Sequence, residues 1–177
     1  IAKETQSINT IYKKNDKIIG DNTDVGGFEL ALKKIRYKFE GKKILILGAG
    51  GVTSSIIVAL KKFNVLKIFI SNRTKEKAEQ LKKNYNNLDI VEWGRMIDFD
   101  ILINTTSVGL DHKNKIKLDL KEKLTSKLFY DVIYSPSKTQ FLKIGEEKGS
   151  QIENGLLMFL YQAQIAFEKW HGVKPIV

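Results

Sequence analysis

The sequence has 177 residues, no cysteine and a formal net charge of +10, with 30 Lys and Arg against 20 Asp and Glu. This length fits one ordinary domain or slightly more, and 42% hydrophobic residues exclude a disordered or collagen-like chain. The lack of cysteine excludes a disulfide scaffold, a Cys-ligated metal site and a thiol nucleophile, and it fits a reducing compartment, so we expect a cytoplasmic protein. Every apolar run is shorter than the roughly 20 residues that span a bilayer, so we expect no membrane partner.

The positive charge is spread along the chain in lysine doublets such as Lys13-Lys14, Lys33-Lys34 and Lys82-Lys83. Solvated helix faces and loops have this pattern, whereas a nucleic-acid binder usually adds a helix-turn-helix, an RNP motif or a Cys/His module. The sequence contains none of these modules. We therefore expect no nucleic-acid partner and keep a basic nucleic-acid binder only as an alternative.

The N-terminal segment is predicted to form a hairpin followed by a helix. Two strand-like runs, 8–12 and 17–19, flank Asn15 and Asp16, which are residues that favour a turn. A helical stripe of apolar residues then covers 24–37, and Gly41 is a stop signal behind it.

Strands and helices alternate in the remainder of the chain. The pattern predicts strands at 43–47, 66–70, 88–92, 100–104 and 128–134, and helices at 52–63, 75–84, 138–148 and 155–170. Uniformly apolar strands connected by helices are typical of a parallel sheet that is covered on both faces. The predicted fold class is therefore α/β, a doubly wound parallel sheet of the Rossmann-like type.

A glycine-rich loop, Gly48-Ala49-Gly50-Gly51, connects the first of these strands to a helix that opens at Val52. In this context the first glycine permits a tight turn, and the second lets backbone N–H groups approach a pyrophosphate at the positive end of the helix. Thr53 occupies the third position, where Gly or Ala is usual, so the fingerprint is incomplete. A plain strand-to-helix turn is the alternative.

The residues after the second strand of this sheet indicate which dinucleotide fits. NAD sites have an acidic residue there, whereas this sequence has Asn72-Arg73-Thr74. Arg73 can pair with a ribose 2′-phosphate and stack on adenine, and its two neighbours can add hydrogen bonds. Lys77 can add positive charge or be a solvated helix lysine, and Thr74 can also be a helix N-cap. The sequence favours NADP over NAD as the cofactor.

Several motifs follow one another along the chain. They are Ile8-Asn9-Thr10, the run from Gly20 to Phe28, the glycine loop, Asn72-Arg73-Thr74, the run from Asn104 to Gly109, Asp131-Val132-Ile133-Tyr134, and Gly155-Leu156-Leu157-Met158 with Gln162-Ala163. In this order they resemble the C-terminal part of the shikimate dehydrogenase family. The resemblance implies reversible, metal-free reduction of 3-dehydroshikimate to shikimate with NADP(H) in the aromatic amino-acid (chorismate) pathway. A quinate/shikimate-type relative and a non-catalytic NADP-binding module are the alternatives.

The resemblance also implies roles for individual residues. Asp24 is expected to be catalytic, to hold the family's catalytic lysine and to bind a substrate hydroxyl; its structural alternative is the N-cap of the helix at 24–37. Asn9, Tyr134 and Gln162 are expected to bind substrate, with a hairpin contact, a core aromatic and a surface amide as their alternatives. The cofactor is expected to contact the glycine loop, Val52, Asn72, Arg73, Thr74, Lys77, Thr105, Thr106, Ser107, Val132, Gly155 and Met158.

Three segments follow from the same resemblance. Residues 1–21 are expected to be the remnant of an N-terminal substrate domain, 22–154 the Rossmann-like NADP-binding domain, and 155–177 a C-terminal helix packed at the domain junction. The family's Asn-Val-Thr-x-Pro-x-Lys motif, which carries the catalytic lysine, is absent, so we expect the chain alone to be inactive. A homodimer is one option for the oligomeric state, and His112 and His171 are expected to be surface residues.

Overall fold

The computed structural model describes residues 1–111, 116–120 and 123–177. It begins with helix α1 (Ala2–Thr5) and a hairpin of strands β1 (Thr10–Lys14) and β2 (Lys17–Asp21). The hairpin turns at Asn15 and Asp16, whose φ angles of 49° and 59° are the left-handed values that a type I′ turn requires. The predicted hairpin and its turn are confirmed, whereas the sequence pattern does not predict α1.

Six parallel strands form the main sheet. They are β3 (Lys43–Leu47), β4 (Lys67–Ser71), β5 (Leu88–Val91), β6 (Ile101–Asn104), β7 (Leu128–Asp131) and β8 (Gln151–Glu153). Their spatial order is β5-β4-β3-β6-β7-β8, which confirms the doubly wound α/β class. The order reverses between β3 and β6, and ligands of such sheets bind beyond the carboxyl ends of the strands at this point. Strand β8 escapes prediction because its three residues are half-buried and too few to show a pattern.

Helices lie on both faces of this sheet: α2 (Asp24–Lys34), α3 (Gly51–Lys61), α4 (Lys75–Asn84), α5 (Gln140–Glu147) and α6 (Leu156–His171). Alternate residues of β3 point into two cores, with Ile44 and Ile46 on the side of α2, α3 and α4, and Leu45 and Leu47 on the side of α5. In the described part of the chain, no helix combines the length and the apolar character needed to cross a membrane.

Two predicted elements, a helix and a strand, end three residues earlier than expected. Helix α2 stops at Lys34 instead of residue 37, because the backbone of Ile35 is extended, with φ −76° and ψ 128°. Strand β7 stops at Asp131 instead of residue 134. The carboxylate of Asp131 accepts a hydrogen bond from the Ile133 backbone N–H at 3.0 Å, and such a local bond turns the chain away from the sheet.

Helices α2 and α6 cross with their backbones close together at Gly27. A Cβ atom at Gly27 would lie 2.7 Å from the carbonyl oxygen of Met158 and 2.8 Å from the backbone nitrogen of Gln162. At the neighbouring Gly26, a Cβ would lie 2.6 Å from the side chain of Ile165. The two glycines therefore bring the first turn of α2 directly against α6.

The C-terminal half of α6 also fixes the hairpin. Lys169 forms an ion pair with Asp21 at 2.9 Å, and the indole Nε1 of Trp170 donates to the carbonyl of Ile11 at 2.9 Å. The hydrogen bond from Lys169 to Asp21 raises the pKa of Lys169 above its ordinary value. Helix α6 thus connects β1 and β2 to the first turn of α2.

Replacing Gly27 with Ala should destabilise the protein, because the added methyl group overlaps the backbone of α6. We expect the free energy of unfolding to fall by about 1–3 kcal/mol, the usual cost of overpacking. Urea denaturation measures this change. Gly51→Ala is the matched control, since a Cβ there would meet no atom within 4 Å and should leave stability unchanged or slightly raised. Equal stability of Gly27→Ala and the unmodified protein would contradict a tight crossing.

Candidate functional site

A cleft of about 430 Å³ opens where the chain leaves the carboxyl ends of β3, β4 and β6. Its lining includes most of the predicted cofactor residues, namely Gly48, Ala49, Gly50, Asn72, Arg73, Thr74, Lys77, Thr105, Thr106 and Ser107. Two further lining residues, Trp93 and Val108, are not predicted from the sequence. Both follow strands of the same sheet, β5 and β6, so their place in the chain is the signal that could identify them.

The glycine loop requires glycine at its first position. Gly48 has a φ of +112°, and a Cβ there would lie 2.6 Å from the hydroxyl oxygen of Thr105. The hydroxyl groups of Thr53 and Thr105 lie 2.9 Å apart, and both residues are buried. Thr53, the departure from the usual glycine fingerprint, therefore joins α3 to the loop after β6 by a hydrogen bond. Helix α3 begins after Gly50 without a side-chain cap, so no capping side chain occupies the N–H groups of its first turn.

Asn72 bridges the loops after β3 and β4. Its side-chain oxygen accepts a hydrogen bond from the backbone N–H of Ala49 at 3.0 Å, and its amide nitrogen donates to the carbonyl of Thr74 at 2.7 Å. Thr74 stands at the N-cap position of α4, but its side chain makes no capping hydrogen bond. Asn72 thereby fixes the position of the glycine loop relative to the exposed Arg73.

The positive charges of the cleft come from Arg73 and Lys77. Both side chains are exposed and line the same cleft, and neither takes part in an ion pair with another described residue. Their charges are therefore available to an anionic group in the cleft.

A buried polar network holds the loop of Thr105, Thr106 and Ser107. The Thr106 hydroxyl donates to the side-chain oxygen of Asn104 at 2.7 Å, and the Asn104 amide donates to Asp131 at 3.0 Å. Asp131 also accepts a hydrogen bond from the hydroxyl of Thr139 at 2.6 Å. Burial raises the pKa of Asp131 to about 6, although the hydrogen bond from Thr139 opposes this rise.

Three of the predicted substrate residues meet in a second cluster around Thr23. The Asn9 side-chain oxygen accepts a hydrogen bond from the Thr23 backbone N–H at 2.9 Å. The Thr23 hydroxyl lies 3.2 Å from the side-chain oxygens of both Asn9 and Gln162, so the two acceptors share its proton. Asp24 follows Thr23 directly, as the first residue of α2. Elements distant in the sequence thus place Asn9, Asp24 and Gln162 together.

Asp24 is not the N-cap of α2, which was its structural alternative. Thr23 occupies that position, and the side-chain oxygen of Asn22 accepts from the Val25 backbone N–H at 3.3 Å, so that the capping bond comes from Asn22. Burial raises the pKa of Asp24 above its ordinary value, and the hydrogen bond from Asn9 partly opposes this rise. The side chain of Asp24 is half-buried, and it does not cap the helix.

Comparison with known proteins places the chain in a family. The model of the family described as Shikimate / quinate 5-dehydrogenase matches residues 29–133. A relative from Pelagibacter ubique, a shikimate dehydrogenase (NADP(+)), is 52% identical over 176 residues, which cover 99% of this chain and 66% of the relative. The chain belongs to the shikimate/quinate 5-dehydrogenase family.

Solved structures of shikimate dehydrogenases have the same fold. The enzyme from Aquifex aeolicus is similar with a TM-score of 0.88 and 36% identity, covering 99% of this chain and 65% of that one. The enzyme from Thermus thermophilus, solved in complex with NADP(H) and shikimate, has a TM-score of 0.85 and 30% identity, covering 99% of this chain and 66% of that one. This family member spans just under two thirds of the length of the curated relatives that it matches first.

Several of the predicted cofactor-binding residues lie outside the lining of the cleft. They are Gly51, Val52, Val132, Gly155 and Met158. A Cβ atom at Gly155 would overlap the Val132 carbonyl, and the carbonyl oxygen of Met158 contacts Gly27. These contacts pack α6 against the end of β7 and against α2.

Tyr134, the fourth predicted substrate residue, is three residues beyond β7 and is 40% exposed. Its ring stacks on Phe159 of α6 with the centroids 4.6 Å apart, so it is not a core aromatic. His171 is exposed and packs on Phe167, whereas His112 lies outside the described residues. Within the described ranges, no group of three or more acidic or His residues is arranged to hold a metal ion.

Replacing Asp131 with Asn should remove part of the pH dependence of stability. The folded carboxyl group titrates near 6 and the unfolded one near 3.8, so the folded state binds the proton more tightly. The stabilisation from this group is complete below about pH 3.8 and is lost as the pH rises through about 6. As the pH rises through this range, the free energy of unfolding of the unmodified protein should therefore fall relative to that of Asp131→Asn. The difference should change by at most about 1.4 kcal/mol per pH unit.

Urea denaturation between about pH 4.5 and pH 7 measures this difference. Asp98→Asn is the control, because the hydrogen bond from Lys43 lowers the pKa of the exposed Asp98 and moves its contribution below this range. Its stability should run parallel to that of the unmodified protein. Parallel curves for Asp131→Asn as well would show that the buried carboxyl group does not titrate in this range.

Proposed function

We propose that the chain is the NADP-binding part of an NADP-dependent shikimate dehydrogenase, which reversibly reduces 3-dehydroshikimate to shikimate in the aromatic amino-acid (chorismate) pathway. The observation that carries this proposal is that Arg73 and Lys77 both line a cleft whose described lining contains no carboxylate. A 2′-phosphate is attracted to such a site, whereas a site for NAD would have an acidic residue. The Pelagibacter and Thermus relatives support the assignment.

The residues of the cleft fit NADP on two further grounds. The open first turn of α3, behind Gly50, presents backbone N–H groups to a pyrophosphate. Because Gly48 has no side chain, the loop after β6 can lie close to the glycine loop, and no side chain at this position fills the cleft. Thr105, Thr106 and Ser107 then line the part of the cleft nearest β6, where small polar side chains suit the ribose on the nicotinamide side.

We assign the chemistry of the substrate to the cluster around Thr23. When bound, NADPH supplies a hydride to the carbonyl carbon of 3-dehydroshikimate. Asn9 and Gln162 hold the substrate hydroxyls, since amide side chains donate and accept hydrogen bonds at once. Asp24 accepts from a substrate hydroxyl and holds the ammonium group of a lysine, which donates the proton to the carbonyl oxygen. A neighbouring ammonium lowers the pKa that burial has raised, and so keeps Asp24 ionised.

The division of the chain is part of this proposal. Residues 1–21 belong with the substrate domain, because the hairpin forms a sheet of its own, separate from the six-stranded sheet. Residues 22–154 form the cofactor domain. Residues 155–177 pack at the junction of the two, through the contacts of Met158 and Gln162 with Gly27 and the ion pair of Lys169 with Asp21. We place the enzyme in the cytoplasm, in keeping with the lack of cysteine in these 177 residues.

Arg73→Ala should weaken the binding of NADP much more than that of NAD. A charge-assisted hydrogen bond is worth about 1.5–3 kcal/mol, so we expect about a 10- to 100-fold loss for NADP and little change for NAD. Calorimetric titration with both nucleotides measures the two affinities. Arg36→Ala removes the same charge outside the lining of the cleft and should change neither affinity. Equal losses for NADP and NAD would remove the assignment of Arg73 to the 2′-phosphate.

The 177-residue chain should bind NADP but oxidise neither shikimate nor quinate. None of its lysines lies in an Asn-Val-Thr-x-Pro-x-Lys motif, so the group expected to exchange the proton is missing. A steady-state assay of NADPH formation tests turnover, and a thermal shift tests binding, because a ligand of the folded state stabilises it. Measurable turnover would refute this assignment of the proton donor. A thermal shift with an oligonucleotide and none with NADP would refute the assigned cofactor.

A further inference from the structure

Trp93 lies on the rim of the cofactor cleft and has no part in the function proposed above. Its side chain is 38% exposed and lines the cleft together with Arg73 and Lys77. The indole has a large apolar face, and part of the side chain is open to the cleft. A flat ligand that covers this face would remove apolar surface from water.

The sheet places Trp93 beside Arg73. Strands β4 and β5 pair in parallel, and their last registered pair is Ser71 with Val91. Arg73 and Trp93 each follow two residues later, on strands that lie about 4.8 Å apart. The two side chains therefore emerge from neighbouring strand ends, at the end of the cleft away from β6.

A tethered turn fixes the backbone at Trp93. The carbonyl of Glu92 accepts hydrogen bonds from the Arg95 backbone N–H at 3.1 Å and from the Ser71 hydroxyl at 3.2 Å. Gly94 has a φ of +87°, and a Cβ there would meet no atom within 4 Å, so this glycine serves the shape of the turn and not its packing. Trp93 is thus held at a defined position next to β4.

The two ends of the cleft differ in chemistry. Near β6 it is lined by the small side chains of Thr105, Thr106, Ser107 and Val108, whereas the end at β4 and β5 combines two cationic side chains with an indole. We propose that Trp93 is a cofactor-binding residue whose indole packs against the adenine ring of a bound adenosine 2′,5′-bisphosphate group. This inference rests on the proposed NADP function and adds a contact for the base to that for the 2′-phosphate.

Adenosine 2′,5′-bisphosphate is the probe for this contact, and nicotinamide mononucleotide is its control. Stacking on an aromatic side chain typically strengthens the binding of a base by about 5- to 100-fold. Trp93→Ala should weaken the binding of the bisphosphate by a factor in this range and leave the binding of the mononucleotide unchanged. Trp93→Phe should keep most of the affinity for the bisphosphate. Trp93→Phe also guards against a folding defect in the alanine variant.

Fluorescence gives a second readout that requires no turnover. The chain has two tryptophans, and Trp170 is bonded to the Ile11 carbonyl outside the lining of the cleft. In Trp170→Phe the remaining signal comes from Trp93, and it should change with saturation as the bisphosphate is added. The signal of Trp93→Phe should stay constant.

The outcomes separate this inference from the proposed function. Normal binding of the bisphosphate by Trp93→Ala, or a constant signal in Trp170→Phe at saturation, would overturn the role of Trp93 and leave the NADP proposal intact. If the unmodified chain bound no bisphosphate at all, the cofactor proposal itself would fail, and the inference with it.

Discussion

The backbone contact between α2 and α6 at Gly27 is the constraint on which the arrangement of the substrate cluster depends. Two helices normally keep their axes apart by the thickness of their side chains. Here the Met158 carbonyl and the Gln162 backbone take up the space where a Cβ atom would be. The Thr23 hydroxyl can reach Gln162 at 3.2 Å only because the helices are this close. A hydroxyl shared between Asn9 and Gln162 then connects the hairpin, α2 and α6 at a single point.

Buried and partly buried hydrogen bonds perform the corresponding task at the cofactor cleft. Thr53 with Thr105 and Asn72 with Ala49 each join two segments that follow different strands, and Asn104 with Asp131 joins the last residues of β6 and β7. Hydrogen bonds of this kind are costly to leave unmade once their groups are buried, so they fix the loops in one arrangement. Asn22 extends the connection to the substrate cluster, since its side-chain oxygen caps α2 and also accepts from Ser55 of α3 at 3.2 Å.

Much of the fold was predictable because the apolar strands are short and clearly bounded. The strand at 43–47 and the helix at 75–84 occur at the predicted residues, and Lys42 and Gly48 enclose the strand. The predicted end of β7 fails because it depends on burial, which the tertiary structure decides. Strand β7 stops at Asp131 because this buried carboxylate bonds to Ile133, and no local pattern reveals that Asp131 is buried. The short α1 and β8 lack enough residues for a periodic signal.

The sequence by itself determined the class of the fold, the glycine loop, the choice of Arg73 over an acidic residue, and the identity of Asn9, Asp24 and Gln162 as candidates. The first three depend on residue type and on spacing along one segment, whereas the three candidates depend on the resemblance of their motifs to those of the family. Only the tertiary structure decided that Asn72 links loops, that Asn22 caps α2, that Trp93 borders the cleft, and that Val132, Gly155 and Met158 pack helices together. These roles depend on which residues from distant segments come within hydrogen-bond or packing distance, and spacing along a single chain does not encode such distances.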